Sequence, residues 1–220
     1  PELGIGFAGV ALAFGLTVNG LIEKQALLRK GGLQPGDQLL LTKPIGTGTL
    51  FAADMRGKAK GRWVDAAIQS MLVSNQVAAQ CLYRYGATAC TDVTGFGLLG
   101  HLVEMTRASN CDVELHLQAV PVLDGAAQTV AAGILSSLQP QNVRLRRAIR
   151  EPESLRGHAL YPLLFDPQTA GGLLASVPAA QASDCIAELQ SHGYPHAVVI
   201  GQVGSRSDNE APVSVRTTAA

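Results

Sequence analysis

A strand, a glycine-rich turn and a helix follow one another in residues 86–105, and no other stretch constrains the fold as strongly. Residues 86–90 indicate a short strand, and the helix is indicated by apolar residues at helical spacing: Leu98, Leu99, Leu102 and Met105. The turn between them is built from Thr94, Gly95 and Gly97. Backbone N–H groups in such a turn can bind an anion, and Asp92 offers an oxygen ligand for a hard cation such as Mg²⁺.

Asp92 also has a simpler interpretation as a helix N-cap. An Asp near the start of a helix commonly accepts backbone N–H bonds with no metal involved. Because capping is so common, spacing alone favours the cap over the metal ligand.

A second glycine-rich turn, residues 43–49, follows the predicted strand over residues 37–42. Lys43 and the threonine hydroxyls of this turn could hold a phosphate. Short Gly-x-Gly turns are common, however, so the favoured interpretation is a strand-to-helix turn with a solvated lysine. The glycines of residues 4–10 lack the spacing of either nucleotide fingerprint, and we favour no phosphate role for them.

A third tight loop precedes another apolar strand. A strand is predicted to end at Asp166, Pro167 prevents its continuation, and Gly171 and Gly172 allow close backbone approach before the strand over residues 173–177. A helix is then expected from Pro178 to Gln190.

The remaining pattern alternates strands with helices. Further strands are predicted over residues 11–19, 112–117 and 196–203, with an edge strand around Val213 and Val215. Further helices are predicted over residues 62–85 and 122–135, and the arginines of residues 142–150 suggest a solvated helix face or, alternatively, a phosphate contact. This order predicts a mixed α/β sandwich with helices on the sheet faces and glycine loops gathered at one end.

Composition limits the classes of function. Of 220 residues, 47% are hydrophobic, and 17 basic residues balance 17 acidic ones, which gives no electrostatic argument for nucleic acid or a membrane surface. No apolar run reaches the roughly 20 residues of a membrane span. The four cysteines form no CxxC pair, so we expect reduced thiols and a cytoplasmic protein. The start at Pro1 suggests a piece of a longer chain.

Four motifs together resemble a known family: DVTGFGLLGH at residues 92–101, DPQTAGGLL at 166–174, LTKPIGTG at 41–48 and SSLQPQN at 136–142. They resemble the selenophosphate synthetases (selenide, water dikinases), which belong with aminoimidazole ribonucleotide synthetase and related ATP-using enzymes. The resemblance implies the carboxy-terminal domain of that family, an α+β fold built as a layered α/β/α sandwich with a mixed sheet. It places an interdomain link in residues 1–10, the domain in 11–204 and a polar tail in 205–220.

The resemblance also implies an activity, in which selenide, ATP and water give selenophosphate, AMP and phosphate. It makes Asp92 a Mg²⁺ ligand rather than a cap, with Lys43, Thr94, Gly95 and Gly97 contacting or shaping the ATP phosphate site. No catalytic residue is assigned here, because the family carries its reactive Cys or selenocysteine, its catalytic Lys and two further metal-binding Asp residues in the amino-terminal domain. The implied partners are that upstream domain, selenide, ATP and a second copy in a homodimer, with neither nucleic acid nor membrane.

Two alternatives remain open from the sequence. The domain taken alone could be a non-catalytic module for dimerisation or for holding substrates, since no nucleophile with an adjacent base is recognisable. It could also belong to a sister ATP-dependent synthetase that acts on another substrate.

Overall fold

A six-stranded mixed sheet forms the centre of the molecule. The structure is a computed structural model that describes residues 17 and 19–217. The strands are β1 (Gln38–Leu41), β2 (Ala89–Asp92), β3 (Asp112–His116), β4 (Leu173–Val177), β5 (Val198–Gly204) and β6 (Val213–Arg216). Their order across the sheet is β2-β4-β1-β5-β3-β6, and every neighbouring pair is antiparallel except β3 and β6.

Helices cover both faces of this sheet. The α-helices are α1 (Thr47–Asp54), α2 (Gly61–Leu72), α3 (Gln76–Arg84), α4 (Gly97–Ser109), α5 (Ala126–Ala131), α6 (Gln139–Asn142) and α7 (Ala179–Ser191). Buried residues of α3 and α7 form one core with one face, and those of α4 and α5 form a second core with the other. The predicted layered α/β/α sandwich of the α+β class, with a mixed sheet, is therefore confirmed.

The period of two in an extended chain explains how one short strand serves both cores. In β1, Leu40 packs in the core under α3 and α7, whereas Leu39 and Leu41 pack in the core under α4. The strand β4 is buried at every position, as expected for a central strand covered on both faces.

The predicted helix over residues 62–85 is wrong in one respect, because it is two helices separated at residues 73–75. Side chains that are distant in the sequence form hydrogen bonds with backbone carbonyls at this break. The Tyr194 hydroxyl donates to the carbonyl of Ser74 at 2.5 Å, and the Lys43 ammonium donates to that of Val73 at 2.5 Å. The side-chain amide of Asn75 donates a hydrogen bond to the carbonyl of Gly171 at 2.9 Å.

Other boundaries differ from the sequence prediction. The strand predicted to end at Asp166 is a 3₁₀ helix, Tyr161–Phe165, that begins with a proline in its first turn. The segment with the clustered arginines contains another 3₁₀ helix, Val143–Ala148, and α5 covers only six residues of the predicted helix over 122–135. The predicted strand over residues 11–19 and the glycines of 4–10 lie outside the described residues, apart from residues 17 and 19.

Three further features concern the sheet edge, the cysteines and the helix lengths. Edge strand β6 pairs with β3, so the segment expected to be a polar tail contributes a strand to the same sheet. All four cysteines are buried and free, as predicted: Cys81, Cys90, Cys111 and Cys185. In the part of the chain that the structure describes, no helix is long and apolar enough to cross a bilayer.

Candidate functional site at one end of the sheet

Three loops meet at one end of the sheet because β4 runs antiparallel to both β1 and β2. The ends of β1 and β2 therefore lie beside the start of β4, where Asp92 pairs with Leu173. Hydrogen bonds join the loops directly. The N–H of Val93 donates to the carbonyl of Gly172 at 2.9 Å, and the N–H of Leu173 donates to the Thr42 hydroxyl at 2.8 Å. The predicted gathering of glycine loops at one end is confirmed.

Asp92 is the last residue of β2 and is exposed. The following helix, α4, begins at Gly97, and its N-cap is Phe96, which makes no side-chain capping bond. Asp92 therefore lies too far before the helix to cap it, and the N-cap interpretation is wrong. Within residues 19–217 its carboxylate has no ion-pair partner within 4.0 Å, so it is available to an external cation.

Gly97 closes the turn between β2 and α4. Its φ of 70° lies in the left-handed region, and its N–H donates to the carbonyl of Thr94 at 3.0 Å. A Cβ at this position would stand only 2.9 Å from the backbone carbon of Phe165, whereas a Cβ on Gly95 would meet nothing within 4 Å. Glycine is therefore required at Gly97 and not at Gly95.

His101 fixes the same turn from the buried side of α4. Its Nε2 accepts the N–H of Thr94 at 3.0 Å and lies 3.2 Å from the Thr94 hydroxyl, while Nδ1 lies 3.4 Å from a Glu104 carboxylate oxygen. Burial lowers the pKa of His101, which favours the neutral ring that these contacts require. The sequence analysis assigned no role to His101. Its position in the same motif, seven residues after Thr94, could have indicated a contact between the helix and the turn.

The second glycine-rich turn is capped from within the chain. The side-chain oxygen of Gln168 accepts the N–H groups of Gly46 at 2.9 Å and Thr47 at 3.2 Å. The Asp166 carboxylate accepts the N–H of Gly48 at 3.1 Å. These three N–H groups at the start of α1 are thus already paired, and the turn as observed does not offer them to a phosphate.

Asp166 is fully buried, and burial raises its pKa to about 7. One carboxylate oxygen accepts from Gly48 and from the Gln168 amide at 3.0 Å, while the other has no hydrogen-bond partner among the described residues. The motif at residues 166–174 pointed to a tight loop, but not to these two side chains as its link to α1.

Lys43 is buried rather than solvated, so that part of the favoured interpretation is wrong. Only 4% of its surface is exposed, and its ammonium donates to the carbonyls of Val73 at 2.5 Å and Ala170 at 3.2 Å. Burial lowers the pKa of Lys43. The side chain borders a cavity of about 440 Å³ between α2 and residues 193–196, and its contact with phosphate stays a prediction.

A complete metal site is not present in the part of the chain that the structure describes, which contains no group of three or more His, Cys, Asp or Glu side chains placed to hold an ion. Asp92 can supply one carboxylate ligand, which suits Mg²⁺ because that ion often uses one or two protein carboxylates together with substrate phosphates. Asp92 therefore fits an ion that is bound jointly by the protein and by substrate phosphates, and not an ion that is enclosed by protein ligands alone.

The sandwich and its loop cluster define a domain of the AIR synthase class. Residues 34–214 match the family model described as AIR synthase related protein, C-terminal domain, and the chain belongs to this family.

Within this family, curated relatives that match the chain are named selenide, water dikinase. The selenide, water dikinase of Geobacter metallireducens is 38% identical over 192 residues, covering 87% of this chain and 55% of the relative. That of Clostridioides difficile is 34% identical over 190 residues, covering 86% of this chain and 55% of the relative. The chain thus spans about half the length of the curated relatives it matches.

Solved structures share the fold at lower identity. Hydrogenase maturation protein HypE superposes with a TM-score of 0.63 at 20% identity, covering 86% of this chain and 52% of that chain. Thiamine-monophosphate kinase from Stenotrophomonas maltophilia K279a gives a TM-score of 0.59 at 17% identity, covering 88% and 54%. At these identities the likeness concerns the fold alone.

Proposed function

We propose that this chain is the carboxy-terminal part of an ATP-dependent selenophosphate synthetase, which converts selenide, ATP and water to selenophosphate, AMP and phosphate. The relatives named selenide, water dikinase support the reaction class. The observation that carries the proposal is the exposed Asp92 carboxylate at the end of β2, beside a glycine turn and clear of the helix that it might have capped.

Asp92 would bind Mg²⁺, and the ion when bound would neutralise phosphate charge during transfer. The adjacent turn suits the phosphates themselves, because the N–H groups of Gly95 and Phe96 donate to no acceptor within residues 19–217. His101 and Gly97 hold this turn in place through Thr94. Phosphoryl transfer depends chiefly on positioning and charge, and these are the properties that the turn supplies.

Lys43 would act at longer range. Its ammonium lies on the neighbouring loop with two carbonyl partners, so it can add positive potential near the loop cluster without contacting the solvent. The rest of the proposal follows the family resemblance of the four motifs: a cytoplasmic homodimer in which an amino-terminal domain supplies the remaining metal ligands and the catalytic groups.

A non-catalytic role for this domain when it stands alone is the second candidate. It is favoured by the small number of metal ligands. Asp92 offers one carboxylate, and the described residues contain no group of three or more His, Cys, Asp or Glu side chains that could hold an ion. A sister synthetase is the third, and only substrate tests separate it from the first.

The test joins this chain to the amino-terminal part of the Geobacter metallireducens relative and measures selenide-dependent AMP formation against Mg²⁺ concentration. The relative's own enzyme is the positive control. A chimera that folds and forms AMP only with selenide supports the proposal, and a folded chimera that uses ATP without selenide favours the sister synthetase.

In this chimera, Asp92→Asn should lower AMP formation by about tenfold or more, because the amide keeps the shape but loses the charge that a hard cation prefers. Its melting temperature should hardly change, since the carboxylate is exposed at the end of its strand. Asp65→Asn, at an exposed position in α2, is the matched control and should leave both quantities unaltered. Equal activity of wild type and Asp92→Asn at every Mg²⁺ concentration would rule out the ligand role.

A further inference from the structure

A second cavity lies at the far end of α4 from Asp92. Its volume is about 460 Å³, and three separate segments each place an arginine in its lining: Arg107, Arg147 and Arg206. Arg107 is ten residues beyond the start of α4, so it stands about 15 Å along the helix axis from the turn next to Asp92. The two sites therefore share no residue and lie at opposite ends of one helix.

The loop that carries Arg206 is held by a buried carboxylate. Asp112, at the start of β3, accepts from Arg206 Nη1 at 2.6 Å and from Arg150 Nη2 at 2.5 Å. It also accepts the backbone N–H of Ser207 at 2.9 Å and the Ser207 hydroxyl at 2.5 Å. One of these four bonds comes from Arg206, so its guanidinium is tied to Asp112 by a charge-assisted hydrogen bond while its other N–H groups stay beside the cavity that it lines.

The other two arginines are not neutralised within the described chain. In residues 19–217, neither Arg107 nor Arg147 has a carboxylate oxygen within 4.0 Å. Glu210 is the single acidic residue in the lining, against three arginines, and it also forms no ion pair in that part of the chain. The lining is thus locally basic, although the whole chain carries no net charge.

We propose that this cavity binds a small molecule through a phosphate monoester or a comparable doubly charged oxyanion. A guanidinium presents parallel N–H donors that match phosphate oxygens, and such charge-assisted pairs are among the stronger hydrogen bonds in proteins. Two guanidiniums without an ion-pair partner in residues 19–217 and one tied to Asp112 line the same cavity, where each can donate to an oxyanion. The cavity leaves space beside it for the body of the molecule.

The experiment measures binding of inorganic phosphate and of AMP to this chain by titration calorimetry, without Mg²⁺, selenide or ATP. Phosphate that binds as tightly as AMP identifies the oxyanion as the recognised group, and tighter AMP binding shows that the body is recognised as well. Either result supports the proposal. Affinity should also fall when salt is raised from about 50 to about 300 mM, because exposed charges are then screened.

Variants locate the site. Arg147→Gln and Arg107→Gln should each weaken binding by about tenfold, the cost of one charge-assisted hydrogen-bonded pair. The matched control is Arg144→Gln, at an exposed arginine of the same 3₁₀ helix that does not line the cavity. Asp92→Asn should leave this affinity unchanged, so the result stands or falls separately from the proposed synthetase activity.

Three outcomes would overturn the proposal. The first is the absence of saturable binding of phosphate and AMP up to about 10 mM, tenfold weaker than a millimolar ligand. The second is an equal loss of affinity in Arg144→Gln. The third is binding of a single-stranded oligonucleotide in the absence of phosphate or AMP binding. The last result would mean that the arginines form an open polyanion surface rather than a small-molecule site.

Discussion

Asp166 is the residue whose environment departs furthest from that of an ordinary carboxylate. It is buried beside the start of α1, and burial raises its pKa from the ordinary 3.8 to about 7. Since the folded state binds the proton more tightly than the unfolded state, its contribution to stability is complete below pH 4 and is lost as pH rises through about 7.

The change Asp166→Asn should remove this pH dependence. The amide oxygen can still accept from Gly48 and Gln168, but it carries no charge to bury at high pH. The wild-type free energy of unfolding should therefore fall, relative to that of the variant, by up to about 1.4 kcal/mol per pH unit between pH 4 and pH 7. Urea unfolding of both proteins across this range measures the difference, and parallel curves would show that Asp166 stays ionised in the fold.

The position of a residue was predictable from the sequence where it is set locally. Asp92 ends its strand just before the glycine turn, as the pattern indicated, whereas its role as a Mg²⁺ ligand comes from the family resemblance and stays a prediction. Gln168 and Asp166 were not assigned, because their partners in the turn before α1 lie more than a hundred positions away in the sequence. Lys43 was misplaced for the same reason, since its carbonyl partners come from two distant loops.

At the scale of elements, the strand–turn–helix unit formed by β2, the glycine turn and α4 depends on Gly97 more than on Gly95. Gly97→Ala forces a side chain into the left-handed region and against the backbone of Phe165, and it should cost about 1 to 3 kcal/mol of unfolding free energy. Gly95→Ala meets open space and should stay within about 0.5 kcal/mol of wild type. Denaturant unfolding of the pair measures both, and equal losses would mean that the turn tolerates or rejects any side chain alike.

Helices and strands were predicted correctly where the apolar residues keep one spacing along the whole helix or strand. The helices α4 and α7 and strands β1, β3, β4 and β6 lie where apolar spacing predicted them. The split between α2 and α3 could not be predicted from residues 62–85, because what separates them is the hydrogen bonding of Lys43 and Tyr194 to their backbone. The helical periodicity itself continues across the break.

At the scale of the whole molecule, the order of strands determines which loops share a site. The neighbours of β4 are β1 and β2, which lie far apart in the sequence, and their ends converge only because β4 runs antiparallel to both. Alternating strands and helices predicted two covered faces, but they did not specify this order. The end of the sheet that holds the candidate site was therefore predictable as a cluster of glycine loops, whereas the contacts between those loops were not.

The chain by itself should fold but should not turn over ATP. Two apolar cores enclose the sheet from both sides, and six strands pair without gaps, so we expect a single cooperative melting transition. In the enzyme that we propose, the remaining metal ligands and the group that reacts with selenide lie in the amino-terminal domain, and the described residues contain no group of three or more His, Cys, Asp or Glu side chains placed to hold an ion. Calorimetric melting and AMP measurement with selenide, ATP and Mg²⁺ test both halves of the prediction on one sample. Selenide-dependent AMP release by the purified chain would place catalysis within it, and a non-cooperative melt would show that its cores need another domain to become stable.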